Sequence, residues 1–137
     1  MKNIVLGYDD TEASKHALER AAELVKAFDA KLTVTSVVPL AVGSIRSSGP
    51  VDPDDGPAVH AEQARHAREY LEGQGIQAEY QGAVGDPADA IVQLAQERGA
   101  DLIVVGTREL SAIGRLLGQS VSESVTHKAH CDVLIVH

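Results

Sequence analysis

Aromatic residues and cysteines are scarce in this chain of 137 residues, which has no tryptophan, 3% aromatic residues and one cysteine, Cys131. The hydrophobic core must therefore consist mainly of valine, leucine, isoleucine and alanine, a composition typical of a buried parallel sheet covered by alanine-rich helices. A single cysteine excludes a disulfide within the chain and fits a reducing compartment. We interpret Cys131 as a small packed side chain and not as a reactive thiol.

Clusters of positive charge and long apolar segments are also missing. The chain has 12 Lys and Arg residues against 20 Asp and Glu residues, which gives a formal net charge of −8. Nucleic acids and anionic membranes are bound through concentrated positive patches, so we expect neither as a partner. No apolar segment approaches the ~20 residues that a membrane span requires, and no secretory hydrophobic region follows Met1. These absences predict a cytoplasmic protein.

Short apolar segments alternate along the chain with amphipathic helical patterns. The length is that of one domain, so we expect a single domain over residues 1–137. Strands that alternate with helices form a parallel sheet with right-handed crossovers. The predicted fold is a three-layer α/β/α sandwich around an open parallel sheet of five strands in the order 3-2-1-4-5. The predicted strands are residues 4–8, 32–38, 78–84, 102–105 and 133–136.

One stretch interrupts this pattern. Residues 39–57 are rich in glycine, proline, serine and aspartate. Such a segment has too little apolar surface to offset the entropy lost on ordering, so it is predicted to be a mobile loop. It follows the predicted carboxyl end of the second strand, where it would be able to close over a ligand.

The predicted strand order also locates a ligand site. In open α/β sheets, ligands bind outside the carboxyl ends of the strands, at the point where the strand order reverses. Here that point lies between the first and fourth strands. After the fourth strand, Gly106, Gly114, Gly118 and Ser120 lead into a helix. Glycines in such a connection let backbone N–H groups approach a phosphate, although glycines that only permit tight turns are the alternative interpretation.

The connection after the fourth strand resembles that of universal stress proteins. Their pattern is a glycine, two residues, a glycine, nine residues, and then a glycine followed by serine or threonine that leads into a helix. Residues 106–111 (GTRELS) and 118–122 (GQSVS) match the two ends of this pattern. The resemblance covers essentially the whole chain outside residues 39–57. It implies a stress-response regulatory protein that binds an adenine nucleotide at the switch point of the sheet.

The resemblance also implies which residues contact the nucleotide, namely ATP, or AMP or ADP in its place, with or without Mg²⁺. Asp9 and Val38 would face the adenine and ribose, and Gly106, Gly118 and Ser120 would face the phosphates. The full predicted nucleotide-binding set is Asp9, Val38, Gly106, Thr107, Arg108, Gly118, Ser120 and Val121.

Two positions depart from the family pattern. Glu109 stands in place of the second glycine, and Gln119 stands in place of the third, with Gly118 one position early. A carboxylate ~5 Å from a phosphate, at an effective dielectric constant near 20, costs about 3 kcal/mol per phosphate charge. That cost corresponds to an affinity loss on the order of a hundredfold. A dimeric stress-response adaptor with a vestigial, nucleotide-free site therefore remains as the alternative function.

Other chemistries lack the residues that they require. The pair Asp9-Asp10 resembles the paired acids of a response-regulator receiver, but the phospho-acceptor aspartate and the lysine of that site are missing. His127 and His130 lie three residues apart without a convincing third ligand, so no metal site is expected. No Ser-His-Asp or paired-carboxylate arrangement falls at the carboxyl edge of the sheet. An enzyme is therefore not indicated, and any ATP hydrolysis would be slow.

The last predicted strand is a candidate dimer interface. In the order 3-2-1-4-5 this strand lies at an edge of the sheet, and no proline interrupts it. An apolar edge exposes backbone N–H and C=O groups that can pair with another chain. We expect a homodimer in which two copies of the strand pair antiparallel about a two-fold axis, as the resemblance also implies. The strand residues that form this interface are Val133, Leu134, Ile135 and Val136.

Overall fold

Five parallel strands form one sheet in a computed structural model that describes residues 1–9, 11–38, 57–107 and 121–137. The strands are β1 (Asn3–Gly7), β2 (Lys31–Val38), β3 (Ala78–Val84), β4 (Leu102–Gly106) and β5 (Asp132–Val136). The helices in these described ranges are α1 (Glu12–Phe28), α2 (Pro57–Gly73), α3 (Pro87–Arg98) and α4 (Val121–Lys128). The strand order is β3-β2-β1-β4-β5, and each neighbouring pair is parallel. The predicted fold class and strand order are confirmed.

The two faces of the sheet are covered by different pairs of helices. Successive residues of a strand point to opposite faces, so the side chains of β1 divide between two clusters. Ile4 and Leu6 pack in the cluster that contains apolar residues of α1 and α2. Val5 packs in the other cluster, with Ile91 of α3 and Val125 of α4. This division produces the three layers that the alternation of strands and helices predicts.

The helices begin and end at residues whose side chains and backbone satisfy the free groups of the first and last turns. The Thr11 hydroxyl accepts a hydrogen bond from the Ser14 N–H at 3.2 Å and caps α1. Asp86 caps α3 by accepting from the Asp89 N–H at 2.9 Å, and Pro87 occupies the first turn. Gly99 ends α3 with a left-handed backbone, at φ 61°. Asp86, Pro87 and Gly99 are residue types that favour these cap positions.

The observed boundaries differ from the predicted ones by one residue in several places. Strand β1 begins and ends one residue earlier than predicted, because Asn3 already pairs with Lys31. Tyr8 follows the strand, but its N–H still donates to the Thr35 carbonyl at 2.9 Å. The predicted mobile loop lies outside the described residues, except for Pro57, which begins α2 and is therefore not part of a loop. The fixed φ of proline suits a first helical turn.

Among the described residues, no helix combines the length and the apolar character needed to cross a membrane.

The amino ends of β1 and β4 are joined by Asp101. Its carboxylate accepts hydrogen bonds from the backbone N–H groups of Lys2, at 2.7 Å, and Asn3, at 2.9 Å. The Asp101 N–H in turn donates to the Asn3 carbonyl at 2.8 Å. The bonds from Lys2 and Asn3 favour the ionised carboxylate and hold the pKa of Asp101 below its ordinary value of 3.8.

This arrangement predicts a stability difference that depends on pH. A carboxyl group whose pKa is lowered by folding stabilises the native state above its unfolded-state pKa, and this contribution is lost as the pH falls through the folded-state value. We expect Asp101→Asn to unfold at a lower temperature than wild type near neutral pH, and the difference to narrow as the pH falls below 3.8. Thermal unfolding followed by circular dichroism measures this. Glu69→Gln, at an exposed position of α2, controls for the lost charge. A gap that stays constant with pH would contradict the assignment.

Candidate functional site

A cleft opens at the carboxyl ends of β1 and β4, where the strand order reverses. The space between its walls is about 440 Å³, a volume that includes the part open to solvent. The residues that line it come from β1, β2, β4 and three helices or their caps, and include Asp9, Thr35, Ile91, Val105, Gly106 and Val121. The cleft therefore lies where the predicted strand order locates a ligand site.

Asp9 is held in the cleft by the N-terminal cap of α1. Its Oδ1 atom accepts hydrogen bonds from the Thr11 hydroxyl at 2.6 Å and from the Thr11 N–H at 3.2 Å. The Ser14 hydroxyl donates to the Thr11 carbonyl at 3.0 Å and accepts from the Asp9 N–H at 3.4 Å. This network fixes the position of a half-buried carboxylate next to the positive end of a helix dipole.

Gly106 brings the end of β4 directly against the first turn of α1. A Cβ atom at this position would lie 2.5 Å from the Ala13 carbonyl carbon and 2.7 Å from the Ser14 nitrogen. Backbone atoms cannot move aside as a flexible side chain can, so only glycine fits here without displacement of the helix. Gly106 and Ser14 both line the cleft, so this close approach forms part of its wall.

The predicted site residues do not all lie in the cleft. Asp9, Gly106 and Val121 line it, and Val38 is the last residue of β2, where it pairs with Val84. Thr107 hydrogen-bonds instead to β5: its N–H donates to the Val136 carbonyl at 2.8 Å, and its hydroxyl donates to the same oxygen at 3.4 Å. The remaining predicted residues lie outside the described residues, and these are Arg108, Gly118 and Ser120, together with Glu109 and Gln119.

Several lining residues were not predicted from the sequence, and Thr35 is the most informative of them. It lies in the middle of β2, its side chain is 1% exposed, and its Oγ1 atom has no hydrogen-bond partner among the described residues. A buried hydroxyl without a partner costs about 1–3 kcal/mol. The sequence does contain one indication of this hydroxyl. Leu32, Thr33, Val34 and Thr35 alternate between apolar and hydroxyl side chains, which places the two hydroxyls on one face of an interior strand.

The wall formed by α3 and α4 is joined by an ion pair at the surface. Lys128 Nζ lies 2.6 Å from Asp89 Oδ1 and 3.9 Å from Asp86 Oδ2. The hydrogen bond lowers the pKa of Asp89 and raises the pKa of Lys128. Both side chains are largely exposed, so the pair orients the two helices and contributes little to stability.

The described part of this site contains neither a reactive thiol nor a metal cluster. Burial raises the pKa of the Cys131 thiol, and Asp132 and Asp101 add to the effect, so the thiol stays protonated at neutral pH. Within residues 1–9, 11–38, 57–107 and 121–137, no group of three or more His, Cys, Asp or Glu side chains is placed to hold a metal ion. The described part of the cleft offers one fixed carboxylate, hydroxyl-bearing residues and an apolar wall.

Comparison with known proteins gives consistent matches over the full length of the chain. The model of the universal stress protein family matches residues 1–137. A universal stress protein of Mycobacterium tuberculosis is 39% identical over 142 residues, which cover 99% of this chain and 96% of that protein.

Solved structures show the same similarity. A universal stress protein solved in complex with cAMP is 33% identical, with a TM-score of 0.77, and the match covers 99% of this chain and 97% of that one. The universal stress protein from Archaeoglobus fulgidus solved in complex with dAMP is 23% identical, with a TM-score of 0.75. That match covers 100% of this chain and 98% of the other, and at this identity it supports the fold alone.

The contact at Gly106 predicts a large effect of a small substitution. We expect Gly106→Ala to lower the free energy of unfolding by about 1–3 kcal/mol, because the added methyl group collides with the backbone of α1. Gly73→Ala is the matched control, since a Cβ atom at the end of α2 meets no atom within 4 Å. Urea unfolding compares the two variants with wild type. Equal stability of Gly106→Ala and wild type would show that the end of β4 does not pack this closely on α1.

Proposed function

The chain belongs to the universal stress protein family, and from this membership we propose that it binds an adenine nucleotide in the cleft at the carboxyl ends of β1 and β4. The observation that carries the proposal is the Asp9 carboxylate, which the cap of α1 fixes at the switch point of the sheet. The relative that is 33% identical and was solved in complex with cAMP supports the same ligand class.

The parts of the cleft suit different parts of a nucleotide. A fixed carboxylate is a good acceptor for ribose hydroxyls, the role that we assign to Asp9. The buried side chains of Ile91 and Val105 supply an apolar surface for the base. We assign Val121, which lines the cleft, and Val38, the last residue of β2, to this part of the proposed site.

The phosphates are assigned to the connection between β4 and α4. Backbone N–H groups at Gly106 and Gly118 and the Ser120 hydroxyl suit phosphate oxygens, and Thr107 and Arg108 belong to the same segment. ATP with Mg²⁺ is one candidate ligand, with ADP and AMP as the others. A Glu109 carboxylate close to the phosphates would oppose each phosphate charge, and would favour ligands with fewer phosphates unless a cation offset its charge.

The arrangement suits a regulatory protein better than a catalyst. In the described cleft the Asp9 carboxylate accepts from the Thr11 hydroxyl, but that hydroxyl also caps α1, and a single fixed carboxylate is not an acid–base pair. We propose a single-domain, cytoplasmic stress-response regulator whose bound nucleotide shifts a conformational or partner equilibrium.

Titration calorimetry with AMP, cAMP and ATP, the last with and without Mg²⁺, tests nucleotide binding. We expect micromolar to sub-millimolar affinity for at least one of them. Asp9→Ala should weaken binding by about 1–3 kcal/mol, because the ribose loses a charged acceptor. Asp132 is the first residue of β5 and therefore lies at the amino ends of the strands, away from the cleft at their carboxyl ends. Asp132→Ala removes the same charge there and should bind the nucleotides as wild type does. No binding of any of these ligands at millimolar concentration would exclude the nucleotide-binding function and favour the dimeric adaptor with a vestigial site.

We further propose that the protein is a homodimer through β5. This strand is at the edge of the sheet. Among the described strands it pairs with β4 on one side, and no described strand pairs with its other side. Four consecutive apolar residues of β5 remain partly exposed, although they pack against the two core clusters: Val133, Leu134, Ile135 and Val136. Antiparallel pairing of two copies would satisfy the free edge and cover these side chains.

Light scattering of wild type and of two lysine variants tests the dimer. Leu134 and Ile135 point to opposite faces of the sheet, so Leu134→Lys and Ile135→Lys place a charge on each face of the proposed interface in turn. We expect a dimeric wild type at tens of micromolar and a larger monomer fraction in at least one variant. Gln96→Lys, on the exposed surface of α3, is the control, and circular dichroism verifies folding. A monomeric wild type at this concentration would rule out the dimer.

A further inference from the structure

We infer that the Thr35 hydroxyl is a specificity-determining contact that hydrogen-bonds the nucleoside half of the ligand at the floor of the cleft. This inference rests on the proposed nucleotide-binding function and extends it to a residue on β2. Three observations carry it: the position of Thr35 in the sheet, the state of the other hydroxyls in the cleft, and the chemistry of its surroundings.

The backbone holds Thr35 rigidly in the cleft floor. Thr35 pairs in register with Gly7 of β1, and its carbonyl accepts a hydrogen bond from the Tyr8 N–H at 2.9 Å. Its β-branched side chain has few rotamers, so the position of the hydroxyl is well defined. Thr35 is 1% exposed, and it lines the cleft.

The Thr35 hydroxyl on β2 differs from the two cleft hydroxyls at the start of α1. Those of Thr11 and Ser14 are engaged in the cap, where they bond Asp9 and the first turn of the helix. The Thr35 Oγ1 atom has no partner in the part of the chain that the structure describes. Buried polar atoms in native proteins are nearly always paired with protein, water or ligand. As far as the described residues go, its donor and its acceptor capacity therefore remain for a bound molecule.

The surroundings of Thr35 favour a nucleoside over a phosphate. Leu6 pairs with Val104, which places Gly7 beside Val105, so Thr35, Gly7 and Val105 form a row across three strands. Ile91 covers the row, since its Cδ1 atom lies 2.8 Å from where a Cβ atom of Gly7 would stand. The described lining residues include no Lys or Arg. A buried apolar row with one hydroxyl suits a flat ring with polar edge atoms, whereas it would leave a phosphate charge unpaired.

Isosteric replacement separates a binding role from a structural one. Thr35→Val keeps the shape of the side chain and removes the hydroxyl. We expect it to weaken the binding of AMP and the binding of adenosine by the same factor of about three to ten, which corresponds to the loss of one hydrogen bond. The melting temperature without ligand should stay equal or rise, because a buried group without a partner is removed. Thr35→Ser should retain most of the affinity, since it restores the hydroxyl.

Thr33→Val is the matched control. Thr33 lies two residues away on the same face of β2, is 8% exposed and does not line the cleft, so its variant should bind both ligands as wild type does. A Thr35→Val protein that binds AMP and adenosine with wild-type affinity would overturn the inference and leave the proposed function intact. A loss for AMP that is absent for adenosine would also overturn it, because the hydroxyl would then serve the phosphate. Failure of wild type to bind either ligand would refute the proposed function, and the inference with it.

Discussion

The pairing of β1 with β4 is the constraint on which the other features depend. These two strands join the halves of the sheet through three registered pairs, Ile4 with Leu102, Val5 with Ile103 and Leu6 with Val104. Asp101 ties the amino ends of the two strands together, and Gly106 brings the carboxyl end of β4 against α1. Because the chain leaves β1 toward α1 on one face, while α3 and α4 cover the other face, the end of this pairing is left as a cleft.

The chemistry of the cleft follows from this arrangement more than from any single motif. The start of α1 must lie beside the end of β4, so the residues that cap α1 also form the cleft wall, and the capping network positions Asp9. The floor consists of strand residues from the α3 face, so it is buried and apolar. A ligand bound there would meet one charged group held by a helix cap and an interior surface that the sheet has already organised, which lowers the cost of ordering the site.

The sequence predicts the fold well, because periodicity and caps act locally. The apolar segments of the five strands, the Asp86 and Pro87 start of α3 and the Gly99 end are all readable within a few residues, and the errors at β1 and Pro57 amount to one residue. The site was harder to predict. Thr107 belongs to the predicted nucleotide-binding set, and its hydrogen bond to Val136, 29 residues away, cannot be read from the sequence. That Thr35 lacks a partner among the described residues is equally invisible in the sequence, because it depends on which residues of other strands and helices surround it.

The contact between Asp101 and the start of the chain has a consequence for how the protein folds. The Asp101 carboxylate and the Lys2 N–H group that donates to it are 99 residues apart in sequence. Lys2 directly precedes β1, which is the middle strand of the sheet. Contacts at such separation close a long loop and slow folding, unlike the local contacts of a hairpin. During synthesis β1 can pair with β2 early, but its other edge stays open until β4 has left the ribosome. The strand that is made first is therefore among the last to be completed.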